Sequence, residues 1–455
     1  MTSKKYFGTD GIRGKANQHP MTADVALRVA MATARVLKRS GIQHSINRAV
    51  IGKDTRQSCY MLEQAMASGF LAMGMDVILT GPIPTPGIAM LARSMRADIG
   101  VMISASHNPY FDNGIKLFAA DGYKLPDDVE KQIEEWIDNP ELMNDLPEPE
   151  DMGKASRMDD AIGRYIESVK ASFPKGQTLS GLTIVVDCAH GAAYKAAPQA
   201  LWELEADVIP IGVHPNGQNI NHERGATSIA RLQARVQEHK ADLGIAFDGD
   251  ADRLILVDEK SQKVDGDQLL ALLALNLKRQ GLLKHDTVVS TVMSNLGFEN
   301  YLKDNGITLI RAAVGDRYVV EKMREGGFNL GGEQSGHIVL SDYGTTGDGL
   351  LAALHVLSII KNSGRKASEC TSVFEPLPQI LKNVRFEKGQ KPLQDEKVKA
   401  AIEKAKLSLE KNGRVLVRAS GTEPLIRIMA EGQDYTLVES VVDDLCDVIK
   451  MATSG

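Results

Sequence analysis

Three aspartates alternate in Asp248-Gly-Asp250-Ala-Asp252, with Arg253 behind them, directly after the apolar run Leu243–Phe247. Carboxylates this close repel one another unless a cation holds them, and hard oxygen ligands favour Mg²⁺ or Ca²⁺ over zinc. An EF-hand loop also opens on alternating acids, and Glu259 falls at its twelfth position. Arg253 occupies the glycine position of such a loop, however, and residues 254–257 read as a strand, which no EF-hand loop contains. A phosphatase with an aspartate nucleophile also sets Asp-x-Asp after a strand, and this loop alone leaves that reading open. A solvated acidic turn fits poorly between two buried-strand patterns.

Four further loops carry chemistry. SASHNP, residues 104–109, follows the apolar run Ile99–Ile103. Its Ser106 reads either as an activated nucleophile or as turn punctuation. Lys116 comes shortly after, in Asn113-Gly-Ile-Lys116, and FGTDGIRG near the start holds Arg13 between glycines. GGEQSGH, residues 331–337, offers Glu333 and Ser335 to hydroxyl groups, or is a glycine-rich turn. RASGTEPLIR combines Arg418, Ser420, Gly421, Thr422 and Arg427. Guanidinium groups, hydroxyls and a glycine N–H are what a phosphate dianion needs; an arginine-bearing turn is the alternative. Neither GxxxxGK[ST] nor a GxGxxG after a strand occurs, so phosphate recognition without a bound nucleotide is expected. Taken together, a metal site, a serine, a phosphate clamp and a hydroxyl-binding loop describe phosphoryl transfer to and from a sugar phosphate. Such transfer needs charge neutralisation and positioning more than a strong base. A Ser-His relay is not expected, because adjacent side chains on an extended chain point apart and no G-x-S-x-G elbow is present.

These loops need strands to mount them. Residues 49–51, the loop GKDTR, a helical pattern over 60–73 and residues 77–79 form one strand–helix–strand unit. Residues 182–186, DCAHG, a helix over 193–204 and residues 208–209 form a second. Residues 287–289, STVMSNLG, a helix ending near Lys303 and residues 307–310 form a third. The pattern predicts an α/β protein of three related α/β domains with mixed sheets. The Pro- and acid-rich stretch 139–153 reads as a linker, and the polar run 258–263 separates the second unit from the third. After about residue 370 a Lys/Glu-rich helix over 394–411, a strand over 414–417, the RASGTEP loop and a final amphipathic helix predict a small α+β domain.

The chain has 455 residues, 43% hydrophobic and 25% charged, with a net charge of −6. No long basic run is present, so neither nucleic acid nor a membrane surface is expected as a partner. Four scattered cysteines without CxxC pairing argue against disulfides and zinc, and fit a reducing compartment. The N-terminus has no apolar h-region, and a cytoplasmic location is expected.

Five motifs in order, FGTDGIRG, SASHNP, DGDADR, GGEQSG and RASGTEP, resemble the α-D-phosphohexomutases. The likeness spans nearly the whole chain, and the forms of the first, fourth and fifth motifs are similar to the branch acting on glucosamine phosphates. It implies four domains around a central cleft, over residues 1–153, 154–258, 259–370 and 371–455, each giving one loop. It implies a phosphoserine at Ser106 and one Mg²⁺ held by Asp248, Asp250, Asp252 and the Ser106 phosphate. Arg13, His107 and Lys116 would surround the transferring group, with Lys116 or His107 assisting proton transfer. Glu333 and Ser335 would hold sugar hydroxyls, and Arg418, Ser420, Gly421, Thr422 and Arg427 the phosphate not being transferred. Arg253, also matched, would contact substrate, and Gly315-Asp316-Arg317 matches without an assigned role. The implied reaction interconverts glucosamine 6-phosphate and glucosamine 1-phosphate through a bisphosphate, feeding amino-sugar nucleotide and cell-wall precursor synthesis, in a monomer or homodimer. Glucose or mannose phosphates, or a non-catalytic sugar-phosphate sensor on the same fold, are the alternatives.

Overall fold

A computed structural model describes residues 5–39, 47–144, 146–387, 389–409, 413–419 and 424–453. It divides into two compact units, one of residues 5–292 and 309–373 and one of residues 293–308 and 374–453.

The first unit is built on three sheets, all mixed or parallel in part as the β-branched runs predict. The largest has seven strands, in the order Phe7–Gly8, Gly11–Lys15, Asp112–Ala119, Ile99–Ile103, Arg48–Lys53, Asp76–Pro82 and Ala155–Arg157. Arg48–Lys53 runs parallel to both of its neighbours, whereas Ile99–Ile103 and Asp112–Ala119 are antiparallel. Its central strands are buried on both faces, which is why they read as unbroken apolar runs. Ala49, Ile51, Ile99, Val101 and Ile103 share a core with the helices Ala23–Arg39 and Ser58–Ala72. On the alternate positions, Gly52 and Gly100 let Ile88 of the helix Thr85–Ser94 approach the sheet. Gly69 is required where the two long helices cross, since a Cβ there would strike the Leu27 carbonyl.

The second sheet has the order Lys263–Val264, Leu254–Asp258, Leu243–Phe247, Thr183–Asp187, Asp207–Ile211. Leu243–Phe247 is parallel to Thr183–Asp187 and antiparallel to Leu254–Asp258, so residues 248–253 are the turn of a hairpin. Residues 258–263, expected between two units, form a second tight turn within this sheet. Asp258 accepts from the N–H groups of Lys260 and Gln262, an aspartate turn. The third sheet is ordered Thr308–Ala312, Thr287–Thr291, Leu330–Gly332, Ile338–Leu340. Among the described residues no helix is long and apolar enough to cross a membrane.

The second unit is the expected α+β arrangement. Its antiparallel sheet, Gln379–Arg385, Leu425–Gly432 and Gly413–Ala419, packs on the helices Glu396–Leu409 and Tyr435–Thr453 through Val384, Val398, Ile426, Ile428, Val438 and Leu445. It also takes a helix expected within the third repeat, Leu296–Asp304. Asn295 caps this helix by accepting from Gly297 N, exchanges two hydrogen bonds with Leu377, and Phe298 packs on Phe374 at 5.9 Å. Strand–helix–strand periodicity carries no information about which unit such a helix joins.

Candidate active site

Strand ends of all three sheets of the first unit converge on one buried acidic cluster. Ile99–Ile103 delivers the loop 104–109, and Ser106 there adopts a left-handed backbone, φ +53°. Its Oγ donates to Asp248 Oδ2 at 2.6 Å. The same Oγ lies 3.3 Å from His107 Nδ1. The expectation that neighbouring side chains diverge fails here, because the positive φ breaks the extended alternation on which it rested.

The hairpin turn holds Asp248, Asp250 and Asp252, all buried, with ligand oxygens within 4.8 Å of one another. Burial first, then the other two carboxylates, pushes Asp248 well above the usual carboxylate range. Asp250 goes the other way. Burial pulls it up, but Lys116 and the Thr85 hydroxyl outweigh this and hold it at about 2. Asp250 Oδ1 and Asp252 Oδ1 are buried with no hydrogen-bond partner among the described residues. Buried oxygens of this kind call for a cation. The donor set, all carboxylate and hydroxyl, suits a hard divalent ion.

Lys116 reaches the cluster from the strand Asp112–Ala119. Its Nζ is 2.9 Å from Asp250 Oδ2, 3.4 Å from Asp252 Oδ2 and 3.3 Å from Asp10 Oδ2. Burial disfavours its charge, but these three carboxylates prevail and raise its pKa well above the ordinary lysine value. Arg13, on Gly11–Lys15, ion-pairs Asp10. Its Nε is buried without a partner among the described residues. His107 is held down to about 3 by burial and then by Arg253 and Arg13, so it is neutral at physiological pH.

The glycine loop packs against the acidic hairpin. Leu330–Gly332 and Ile338–Leu340 form a hairpin whose turn places Glu333 Oε1 on Gly315 N at 3.1 Å and Oε2 3.4 Å from Ser335 Oγ. Leu254 N donates to Gly336 O at 2.9 Å, docking this turn on the acidic hairpin. Arg253, half-buried, keeps its charge through Asp248, Asp252 and Glu333 despite burial.

Sequence reasoning brought Ser106, His107, Lys116, Arg13, Arg253, Glu333, Ser335 and the three aspartates to this region, and the structure gathers them there. It missed several others. Asp10, one residue from a quoted glycine, bridges Arg13, Lys116 and Lys124. Lys124 also meets Asp316 of the matched GDR at 2.5 Å. Thr85 holds Asp250 by side chain and backbone. His337, the last residue of GGEQSGH, lies 3.6 Å from Asp316 and 4.0 Å from Asp252. No local motif marks Thr85 or Lys124, since their partners are more than a hundred residues away.

Arg418 and Arg427 belong to the second unit, directly opposite one another on paired strands. Like charges so placed repel, burial and Arg427 lower the Arg418 pKa, and Arg418 Nε lacks a partner among the described residues. Ser420, Gly421 and Thr422 lie outside the described residues.

Models of the phosphoglucomutase/phosphomannomutase α/β/α domains I, II and III match residues 4–143, 163–261 and 265–377, and that of the C-terminal domain matches 381–448. The chain belongs to the phosphoglucomutase/phosphomannomutase family. It is 59% identical over 457 residues to a phosphoglucosamine mutase of Rhodospirillum centenum, covering 99% of this chain and 96% of the other. A phosphoglucosamine mutase of Zymomonas mobilis is 58% identical over 450 residues, 99% of this chain and 100% of the other. Among solved structures, a phosphoglucomutase/phosphomannomutase family protein of Burkholderia thailandensis superposes with a TM-score of 0.80 at 23% identity, over 98% of both chains. The N-acetylphosphoglucosamine mutase of Aspergillus fumigatus, solved in complex with GlcNAc-6P and magnesium, gives 0.71 at 18% identity, over 99% of this chain and 96% of that one. At these identities the structures establish the shared phosphohexomutase fold.

Proposed function

We propose that this chain is a phosphohexomutase of the isomerase class that interconverts glucosamine 6-phosphate and glucosamine 1-phosphate. The observation that carries the reading is Ser106 Oγ seated on Asp248 beside two buried carboxylate oxygens that have no hydrogen-bond partner among the described residues. The full-length likeness to phosphoglucosamine mutases supports the choice of sugar. Segments 1–153, 154–258, 259–370 and 371–455 would each supply one loop, and the product would feed amino-sugar nucleotide and cell-wall precursor synthesis. On this reading the enzyme works in the cytoplasm, as a monomer or homodimer, on a small sugar phosphate.

Ser106 is the phosphate carrier. Asp248, Asp250 and Asp252, with the Ser106 phosphate, would hold one Mg²⁺, which when bound neutralises charge on the phosphoryl oxygens. The O1 hydroxyl of the 6-phosphate attacks phosphorus, a P–O1 bond forms and the P–Oγ bond breaks. The O1 proton must leave and the serine oxygen must gain one. Neutral His107, 3.3 Å from the serine oxygen, takes the O1 proton, and Lys116, held protonated, supplies charge and the proton that the serine oxygen gains. The sugar bisphosphate turns over, and Ser106 recovers phosphate from O6. Glu333, Ser335 and Arg253 orient the sugar, and Arg13 shares the transferring charge. Arg418, Ser420, Gly421, Thr422 and Arg427 grip the phosphate that stays.

Intact mass with phosphopeptide mapping tests this, before and after incubation with glucosamine 6-phosphate or glucose 6-phosphate. One phosphate on Ser106, exchanged with the amino sugar in preference, is the expected result, and Ser106→Ala should lose nearly all turnover. Full activity of that variant overturns the carrier role. Equal exchange with glucose 6-phosphate overturns the choice of sugar.

A further inference from the structure

Ser106 holds a backbone conformation that a residue with a Cβ adopts only at a cost of roughly 1–2 kcal/mol. Such a conformation persists when its surroundings impose it. Here the imposing groups are identifiable and lie outside the reacting cluster. Arg56, fully buried, spends its whole fork on the loop and its partner. Nη2 donates to the carbonyls of Ser106 and Asn108, each at 2.9 Å, and Nη1 to that of Pro109 at 2.6 Å. Nε pairs with Asp54 Oδ2 at 2.9 Å. Asp54 Oδ2 also accepts from Ser104 Oγ at 2.6 Å, and Ser104 Oγ accepts from Ser106 N at 2.9 Å. From the second sheet's side, Asn221 Nδ2 donates to the carbonyls of Ser106 and Asn108 at 2.8 and 3.0 Å. Gly249, inside the acidic turn, has no room for a Cβ because the Ser106 carbonyl would lie 2.5 Å away.

A buried Arg–Asp pair is costly to desolvate, and apolar residues of similar volume often stabilise as well or better. Its distinguishing property is geometry, since a guanidinium presents five donors in a rigid fork and an ammonium does not. We infer that Arg56 and Asn221 are positioning residues that hold the loop 104–109 in the single backbone conformation aiming Ser106 Oγ at Asp248. The inference rests on the reading of Ser106 as carrier. In-line transfer is sensitive to placement, with a misplacement of about 1 Å costing on the order of a hundred-fold.

Two variants test it beside Ser106→Ala. Arg56→Lys keeps the charge opposite Asp54 but loses the fork. Asn221→Asp keeps shape and tolerance of the left-handed backbone at φ +59°, but turns a donor into an acceptor facing two carbonyls. The readouts are kcat and KM with glucosamine 6-phosphate, thermal melting, and amide hydrogen exchange across residues 104–112. Both variants should lose on the order of a hundred-fold in kcat. KM and the melting midpoint should stay near wild type, and faster exchange should be confined to the loop. Full kcat in both, with Ser106→Ala inactive, overturns the inference and leaves the carrier reading standing. Loss of kcat that tracks a global loss of stability and exchange also overturns it. An active Ser106→Ala removes the carrier reading and this inference together.

Discussion

Lys116 and Asp250 define each other. Without the carboxylates Lys116 would be a buried cation, and without Lys116 Asp250 would join Asp248 among the acids driven toward protonation. Asp250→Asn removes one anionic ligand and one partner of Lys116. Mg²⁺ titration of activity should then shift to higher concentration by on the order of 10- to 100-fold, and an unshifted titration would count against the metal site. Residue types and their order made the site legible in sequence. The alternating aspartates, the serine loop and Glu333 all sit where their motifs put them. What the sequence hid was conformation and distance. His107 meets Ser106 only because a single φ is positive, and Thr85 meets Asp250 only because two sheets abut.

Each acidic or glycine-rich loop is the turn of a hairpin or the end of a buried strand, so its accuracy is that of the strands beneath it. The dock between the 333–337 turn and the Leu254 strand end depends on Gly336, with φ +93° and a Cβ position that would land on the Leu254 carbonyl. Gly336→Ala should cost about 1–3 kcal/mol in stability from strain alone. Activity should fall further than stability, since Glu333 and Ser335 move with the turn, and denaturant unfolding beside kinetics reads both. Buried parallel strands are easy to find in sequence as unbroken apolar runs. Which unit a helix joins is not written in that pattern, and the helix Leu296–Asp304 is the instance.

For the molecule as a whole, buried acids give stability two opposing slopes with pH. Asp348, raised to about 6 by burial, caps the helix Gly349–Ser363 through Leu351 N and accepts from the Tyr165 hydroxyl. Its folded pKa exceeds its unfolded value of 3.8, so the folded state binds the proton more tightly. Its contribution is therefore present at low pH and lost as pH climbs from about 4 to about 6, by roughly 3 kcal/mol. Asp250, depressed to about 2, contributes above about pH 4 and loses that contribution as pH falls toward 2. Asp348→Asn keeps both accepting contacts and should melt higher than wild type at pH 8 but not at pH 4. Equal midpoints at pH 8 would deny Asp348 this role. The three-repeat α/β plan and the α+β tail were legible because composition and periodicity change along the chain, whereas the pairing of segment 293–308 with residues 374–453 depends on contacts such as Phe298 with Phe374.

That pairing sets an order of events during synthesis. Residue 304 leaves the ribosome seventy residues before Phe374, a delay of roughly 4 to 14 seconds at 5–20 residues per second. A nine-residue helix does not hold itself together in water, so the nascent chain carries Phe298 and Tyr301 without their ring partner through that interval. Translation speed across residues 309–373 therefore decides how long this greasy segment is available to chaperones.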